Sequence, residues 1–242
     1  MALTIPVWHW AAEWHYESEA TAPVAALNPT AMAFDGTLLW VSDWGGRVSA
    51  LDPVDPRRAV HEISVPTGVL FRPTALAFGD GRMWTLDAAR ARLIRSSAAH
   101  PETVVTSIPS PGPAPTALAF DGSSLWSYDA ANRALYRHAA DEATYQTYPI
   151  GEDVVPNALA WVGGRLWVHD TKSRRIMIYA LEGGAFILKE THPSPDAATV
   201  GFVVQSGADG PRVWALVGPS AERSQAALLR LRLHRRIPFA IF

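Results

Sequence analysis

The chain has 242 residues, 48% of them hydrophobic and only 18% charged, a balance that suits a well-filled core and excludes a disordered or strongly solvated chain. Its 21 basic and 23 acidic residues leave a formal net charge of −2, so no overall field draws in nucleic acid. Without a cysteine there is no disulfide, thiolate metal ligand or cysteine nucleophile.

No stretch is long and apolar enough for a membrane helix, and Met1 to Trp10 lacks the basic start and apolar run of a secretory signal. These features read as a soluble, cytoplasmic protein with no membrane partner; a mature secreted form is also compatible. The first residues carry an aromatic and imidazole-rich strip, Trp8, His9, Trp10, Trp14 and His15. Such a strip lines a sugar or peptide site, or seals a ring with bulky side chains, and the sealing role is the one expected. His15 to Ala20 matches the place of Thr144 to Pro149, ahead of the next repeat. Residues 1–28 are therefore expected to close the ring in one sheet with the segment near Leu228 to Leu233, with Ile237 to Phe242 as a further candidate strand; which terminus contributes the outermost strand is left open by the sequence.

From Pro29 onward the chain repeats. Pro-Thr-Ala-Met-Ala-Phe begins at Pro29, Pro-Thr-Ala-Leu-Ala-Phe at Pro73 and again at Pro115, and Pro-Asn-Ala-Leu-Ala-Trp at Pro156; a worn copy starts at Ala198. The spacing of 41 to 44 residues is that of a four-stranded propeller blade. Each copy continues through a Gly-containing turn (Asp35-Gly36, Asp80-Gly81, Asp121-Gly122, Gly163-Gly164) into a strand centred on Trp40, Trp84, Trp126, Trp167 or Trp214. Third and fourth strands fill the period, as in Ala134 to Arg137 and Thr144 to Pro149. The predicted fold is all-β: one closed five-bladed β-propeller of four-stranded antiparallel blades, spanning 1–242, with repeats beginning near 29, 73, 115, 156 and 198. Alternation within the first strand (Ala75 and Ala77 one way, Leu76 and Phe78 the other) fits blades covered on both faces, and the tryptophans read as packing between them.

The string Pro115 to His138, PTALAFDGSSLWSYDAANRALYRH, resembles the NHL-type repeat and the related repeats of streptogramin-lyase-like propellers. The resemblance covers about Pro29 to Leu233 and implies the blade. It does not carry an active site across. The second strand ends in Asp where streptogramin lyases have a Glu-like ending, and no matching pair of His residues is present; the Phe-Thr-Gln-Gly-like opening of five-bladed glutaminyl cyclases is absent too.

Connections into the first strands and those between second and third strands emerge on one face, around the channel mouth. Thr30, Thr74, Thr116, Asn157 and Thr199 form a ring of short polar groups there. Asp43, Asp87, Asp129 and Asp170 end the Trp strands. They read as turn carboxylates that accept backbone N–H groups and pair with a following Arg. Positions that break the repeat carry more information. His169 stands where other blades have Ser42, Leu86 and Tyr128, and Trp44 occurs in one loop only. The ligand-binding candidates are Trp44, Arg72, Thr74, Thr116, Arg133, Asn157 and His169; the weak catalytic candidates are His169, Asp170 and Lys172. No cofactor is indicated and the dispersed histidines have no zinc-like spacing, although a divalent ion in the channel stays open. The expected function is a recognition scaffold for a small ligand or a partner protein at the channel mouth. Alternatives are a lyase or cyclase with its active site there, and a multivalent lectin.

Overall fold

The computed structural model describes residues 13–26, 28–64, 71–151, 153–207 and 210–236. Trp8, His9 and Trp10, expected to help seal the ring, and Ile237 to Phe242, a candidate strand of the last blade, lie outside the described residues. All regular structure within them is strand, arranged as a five-bladed β-propeller. A first strand, β1 (Glu13–Pro23), precedes blade one, which is β2 (Pro29–Phe34), β3 (Leu39–Asp43), β4 (Arg47–Leu51) and β5 (Ala59–Ser64). Blade two is β6 (Pro73–Gly79), β7 (Arg82–Asp87), β8 (Arg92–Ser97) and β9 (Val104–Pro109). Blade three follows as β10 (Pro115–Phe120), β11 (Leu125–Asp129), β12 (Ala134–His138) and β13 (Tyr145–Pro149). Blade four is β14 (Pro156–Val162), β15 (Arg165–Asp170), β16 (Arg175–Glu182) and β17 (Ala185–Pro193). Blade five combines β18 (Thr199–Gly207), β19 (Gly210–Val217) and β20 (Ala227–Arg236) with β1 as its outermost strand.

The last arrangement decides which terminus closes the ring. β1 runs antiparallel to β20, from Glu13 opposite Arg236 to Pro23 opposite Ala227, so the N-terminal segment supplies the fourth strand and β20 is one continuous third strand. Closure of this kind gives blade five the same four strands as the others, so that each blade keeps only short edges, the inner one along the channel. A register shift between Ser18 and Ala20 makes Glu19 the extra residue of a bulge, which re-aims its side chain.

Alanines at the third and fifth positions of the first four repeats let blades approach. Ala75 and Ala77 pack with Leu118 and Leu125 of blade three, while Leu76 packs toward blade one. The tryptophans of the second strands are buried, from 0% exposed at Trp126 to 7% at Trp167. Three of them stack on the aromatic that ends the next blade's first strand: Trp40 on Phe78, Trp84 on Phe120 and Trp126 on Trp161, with ring centroids 5.1–5.3 Å apart. The repeat thus carries its own inter-blade contact, one aromatic per side.

The indole N–H groups need acceptors when buried. Trp40 and Trp126 donate to the turn carboxylates of Asp35 and Asp121, at 2.6 and 2.7 Å. In blade two the carboxylate that would reach Trp84 comes from elsewhere: Glu142, on the third blade, accepts from Trp84 at 2.8 Å and from Arg95 at 3.2 Å.

Candidate functional site

The connections into each first strand are tied to the second strand by one repeated device. An N–H just after the second strand donates to the carbonyl just before the first: Trp44 to Asn28, Ala88 to Arg72, Ala130 to Ala114, Thr171 to Val155 and Gly218 to Ala198. In four blades the Asp that ends the second strand reinforces it. Asp43 accepts from Asn28 and Gly45, Asp87 from Arg72 and Ala89, Asp129 from Ala114 and Asn132, and Asp170 from Val155, Lys172 and Ser173. Each carboxylate clamps two loops at the channel mouth. Burial pulls the Asp170 carboxyl up, but the hydrogen bonds from Ser173, Val155 and Lys172 outweigh it and hold its pKa below the usual carboxylate range. The expected pairing with a following Arg is not general: among the described residues it is seen as Arg90 near Asp87, at 3.9 Å. Arg47 turns instead to Glu62. The reason is backbone geometry. Arg133 and Arg174 hold positive φ, 52° and 55°, where Gly46 and Ala91 stand in the other blades, so these arginines serve the turn.

The polar ring lies at the mouth, and its groups bond tangentially. Thr74 donates to the carbonyl of Pro115, Thr116 to that of Pro156, and the Asn157 amide to that of Thr199, at 3.0–3.2 Å. Each links its blade to the next. Thr30 differs, sharing a 2.8 Å hydrogen bond with Ser42, and Thr199 does not complete the ring: it pairs with Val217 where Pro29 pairs with Asp43, one position earlier than Thr30, and donates to the Asp196 carbonyl.

His169 is 3% exposed, with Nδ1 2.6 Å from Asn157 Oδ1 and Nε2 2.8 Å from Ser194 Oγ. With the Asn157 NH2 donating to the Thr199 carbonyl, its Oδ1 accepts from Nδ1, and the single Ser194 hydroxyl proton is contested between Nε2 and the Asp196 carbonyl, 2.7 Å away. Burial pushes the imidazole down to about 4, against a smaller upward pull from Asp170. It is neutral at pH 7. Asp170 points to its own loop clamp, so the two neighbours do not converge, as alternation along a strand requires. Lys172 is 2.6 Å from Asp153. No nucleophile, base and orienting group are brought together by these three candidates.

Trp44 and Arg72 stand out. Trp44 is 44% exposed, and the Arg72 guanidinium sits 5.7 Å from its ring centroid, also donating to the Phe71 carbonyl at 3.2 Å. The equivalent positions in other blades carry Ala88, Ala130, Thr171 and Gly218, and Asn28, Ala114, Val155 and Ala198. One blade junction therefore presents an aromatic plane with a cation over it.

The opposite end of the channel is different in chemistry. There Phe34, Phe78, Phe120, Trp161 and Val203 border a mouth of about 160 Å³. The candidates read from the sequence all lie at the other mouth, although the aromatic closing each repeat phrase signals this apolar rim. Among the described residues no three His, Asp or Glu side chains gather as a metal site.

Comparison with known proteins adds the following. No family model matches the sequence, and no curated protein does. Solved structures do match. Glutaminyl cyclase of Myxococcus xanthus superposes over 93% of this chain and 99% of its own, with a TM-score of 0.73 at 15% identity. A catalytically inactive variant of virginiamycin B lyase from Staphylococcus aureus, solved with quinupristin, gives 0.52 at 19% identity over 84% of this chain and 66% of the lyase. The WD40 repeats of RRP9 give 0.55 at 10% identity, over 90% of this chain and all of theirs. What they share is the propeller. The streptogramin-lyase-like character read from single blades holds in three dimensions as a matter of fold, and the neighbours include both enzymes and WD40 proteins.

Proposed function

We propose that the protein is a recognition scaffold that holds a small ligand or a partner protein on the channel-mouth face where first strands begin, with Trp44 and Arg72 as its anchor. The observation that carries this reading is the pairing of a half-exposed indole with a guanidinium at one blade junction of an otherwise repeated rim. An aromatic plane beside a planar cation suits a carboxylate carried next to a flat apolar group, such as the end of a peptide. Arg133 stands in a loop of the same face, while the charge of Lys172 is met by Asp153. His169 and Asp170, both saturated by internal hydrogen bonds, support a binding role over an acid–base one.

Saturation-transfer NMR against a panel of N-acyl aromatic amino acids and short peptides tests it. Trp44→Ala and Arg72→Ala are expected to lose binders of the wild type by about tenfold or more, as truncation of an aromatic or Arg anchor does. Binders retained by both variants would overturn the reading. A cyclase is the second reading, favoured by the near-complete mutual coverage with a glutaminyl cyclase. Incubation with an N-terminal glutaminyl peptide, read by mass spectrometry for release of ammonia, tests that separately.

A further inference from the structure

The seam between blades five and one holds a charge arrangement found at no other described blade junction. Glu19, thrown out by the bulge in β1, lies against three arginines: Arg232 at 3.1 Å, Arg230 at 3.3 Å and Arg212 at 3.6 Å. Arg212 and Arg232 are paired across β19 and β20, and Arg230 lies opposite Trp214, so these residues share one sheet face. One carboxylate meets three cations. Glu17, opposite Arg232 in register, offsets one more charge, and the face still keeps an excess of positive charge.

Depth sorts the groups. The Glu19 side chain is 16% exposed, whereas those of the arginines are 37–43% exposed, so the acid lies beneath and the guanidiniums rise toward solvent. Arg212 and Arg230, with Glu19 beneath them, border a cleft of about 470 Å³, completed by Gln205, Trp214 and, from blade one, Pro53 and Val54; Arg232 holds Glu19 from beside it. That size is typical of small-molecule sites. The site is also held in shape. The Arg230 guanidinium rests 5.7 Å from the Trp214 ring centroid, and Gln205 Oε1 accepts the Trp214 N–H at 3.3 Å, which leaves the Gln205 NH2 to donate. Each guanidinium carries more N–H donors than one carboxylate can absorb, and its planar fork matches phosphate and carboxylate oxygens.

We infer that this cleft is a binding site for a compact dianion, the charge form shared by a phosphoryl group and a small dicarboxylate. It is remote in role from the Trp44 rim and does not depend on the reading given above. Glu19 acts as the resident counter-ion, spreading the arginines and competing with the ligand.

Isothermal titration of the full chain with inorganic phosphate at mildly alkaline pH, at ionic strength fixed with sodium chloride, tests the site, with succinate as the second arm. Binding saturates at one site for phosphate, succinate or both, and the tighter of the two identifies the source of the dianion. Arg212→Ala weakens it by about tenfold, the order expected for loss of one charge-assisted contact, while Arg165→Ala on blade four leaves it unchanged. Glu19→Gln tightens it. Absence of saturable binding of either anion to the wild type overturns the inference, as does an Arg212→Ala protein that binds as tightly as wild type. Should Arg212→Ala fail to fold, Glu19→Gln decides: equal or weaker binding than wild type overturns the site.

Discussion

His169 shows how a residue chosen for its chemistry is recast by its surroundings. Its departure from the repeat was legible in the sequence, and so was the divergence from Asp170. Its partners were not, because Ser194 is 25 residues away and reaches it only through the fold. The consequence is a pH dependence with a definite sign. The imidazole ionises near 6.5 in the unfolded chain and is pushed down to about 4 in the native one, so between those values the unfolded state binds more protons. Its contribution is therefore fully present above pH 6.5 and is lost as the pH falls toward 4. A shift of this size corresponds to on the order of 3 kcal/mol. His138 and His192, also lowered first of all by burial, act in the same direction. The Asp carboxyls lowered by hydrogen bonds lose theirs only at still lower pH. Urea unfolding of wild type and His169→Gln from pH 7.5 to 4 is expected to give a shallower acid limb in the variant. Parallel limbs would show that His169 is protonated inside the fold.

At the scale of the strand, the repeat phrase announced the blade because its pattern is local. The turn, the Trp and the closing Asp all lie within one period. The Trp latch was partly visible as well, since Asp35 and Asp121 each precede their Trp by five residues. Glu142 in the same role for Trp84 was not, being 58 residues away on another blade. This separates two turn acids that look alike in the sequence. Asp121 accepts from Ser123, Ser124 and the fully buried Trp126, whereas Asp80 sits at the surface, with Arg82 at 3.6 Å. Asp121→Asn replaces one acceptor oxygen by a donor and leaves either the turn or the indole unsatisfied, a cost of about 1–3 kcal/mol. Asp80→Asn keeps a residue that tolerates its positive φ and should stay within about 0.5 kcal/mol of wild type. Chemical denaturation of the two variants side by side checks the difference; equal midpoints would remove the latch from the account of the blade.

At the scale of the ring, the number of blades followed from counting repeats, but the close approach of β18 to β2 did not. Blade five is the worn copy: Val217 replaces the closing Asp opposite Thr199, and the loop clamp is rebuilt from Arg223, which reaches Asp196 and the Gly218 carbonyl. Gly201 stands where other blades have Ala, and a Cβ there would meet the Met32 amide nitrogen at 2.9 Å and the Ala31 carbonyl carbon at 3.3 Å. Those are backbone atoms of β2, which cannot turn aside as a side chain can. The sequence showed a degraded repeat; the structure shows the substitution that lets β18 approach β2 and the ring shut. Gly201→Ala must therefore push the two inner strands apart, an overpacking cost of about 1–3 kcal/mol. Because the remaining junctions keep their own aromatic contacts, the loss should be local before it is global. Amide hydrogen exchange on Gly201→Ala is expected to show weakened protection in β1, β2, β18 and β20 while β10 and β11 of blade three keep theirs. Uniform weakening around the ring would mean that the propeller opens as one unit and that the seam has no separate stability, and unchanged exchange would mean that the backbone of β2 yields at no cost.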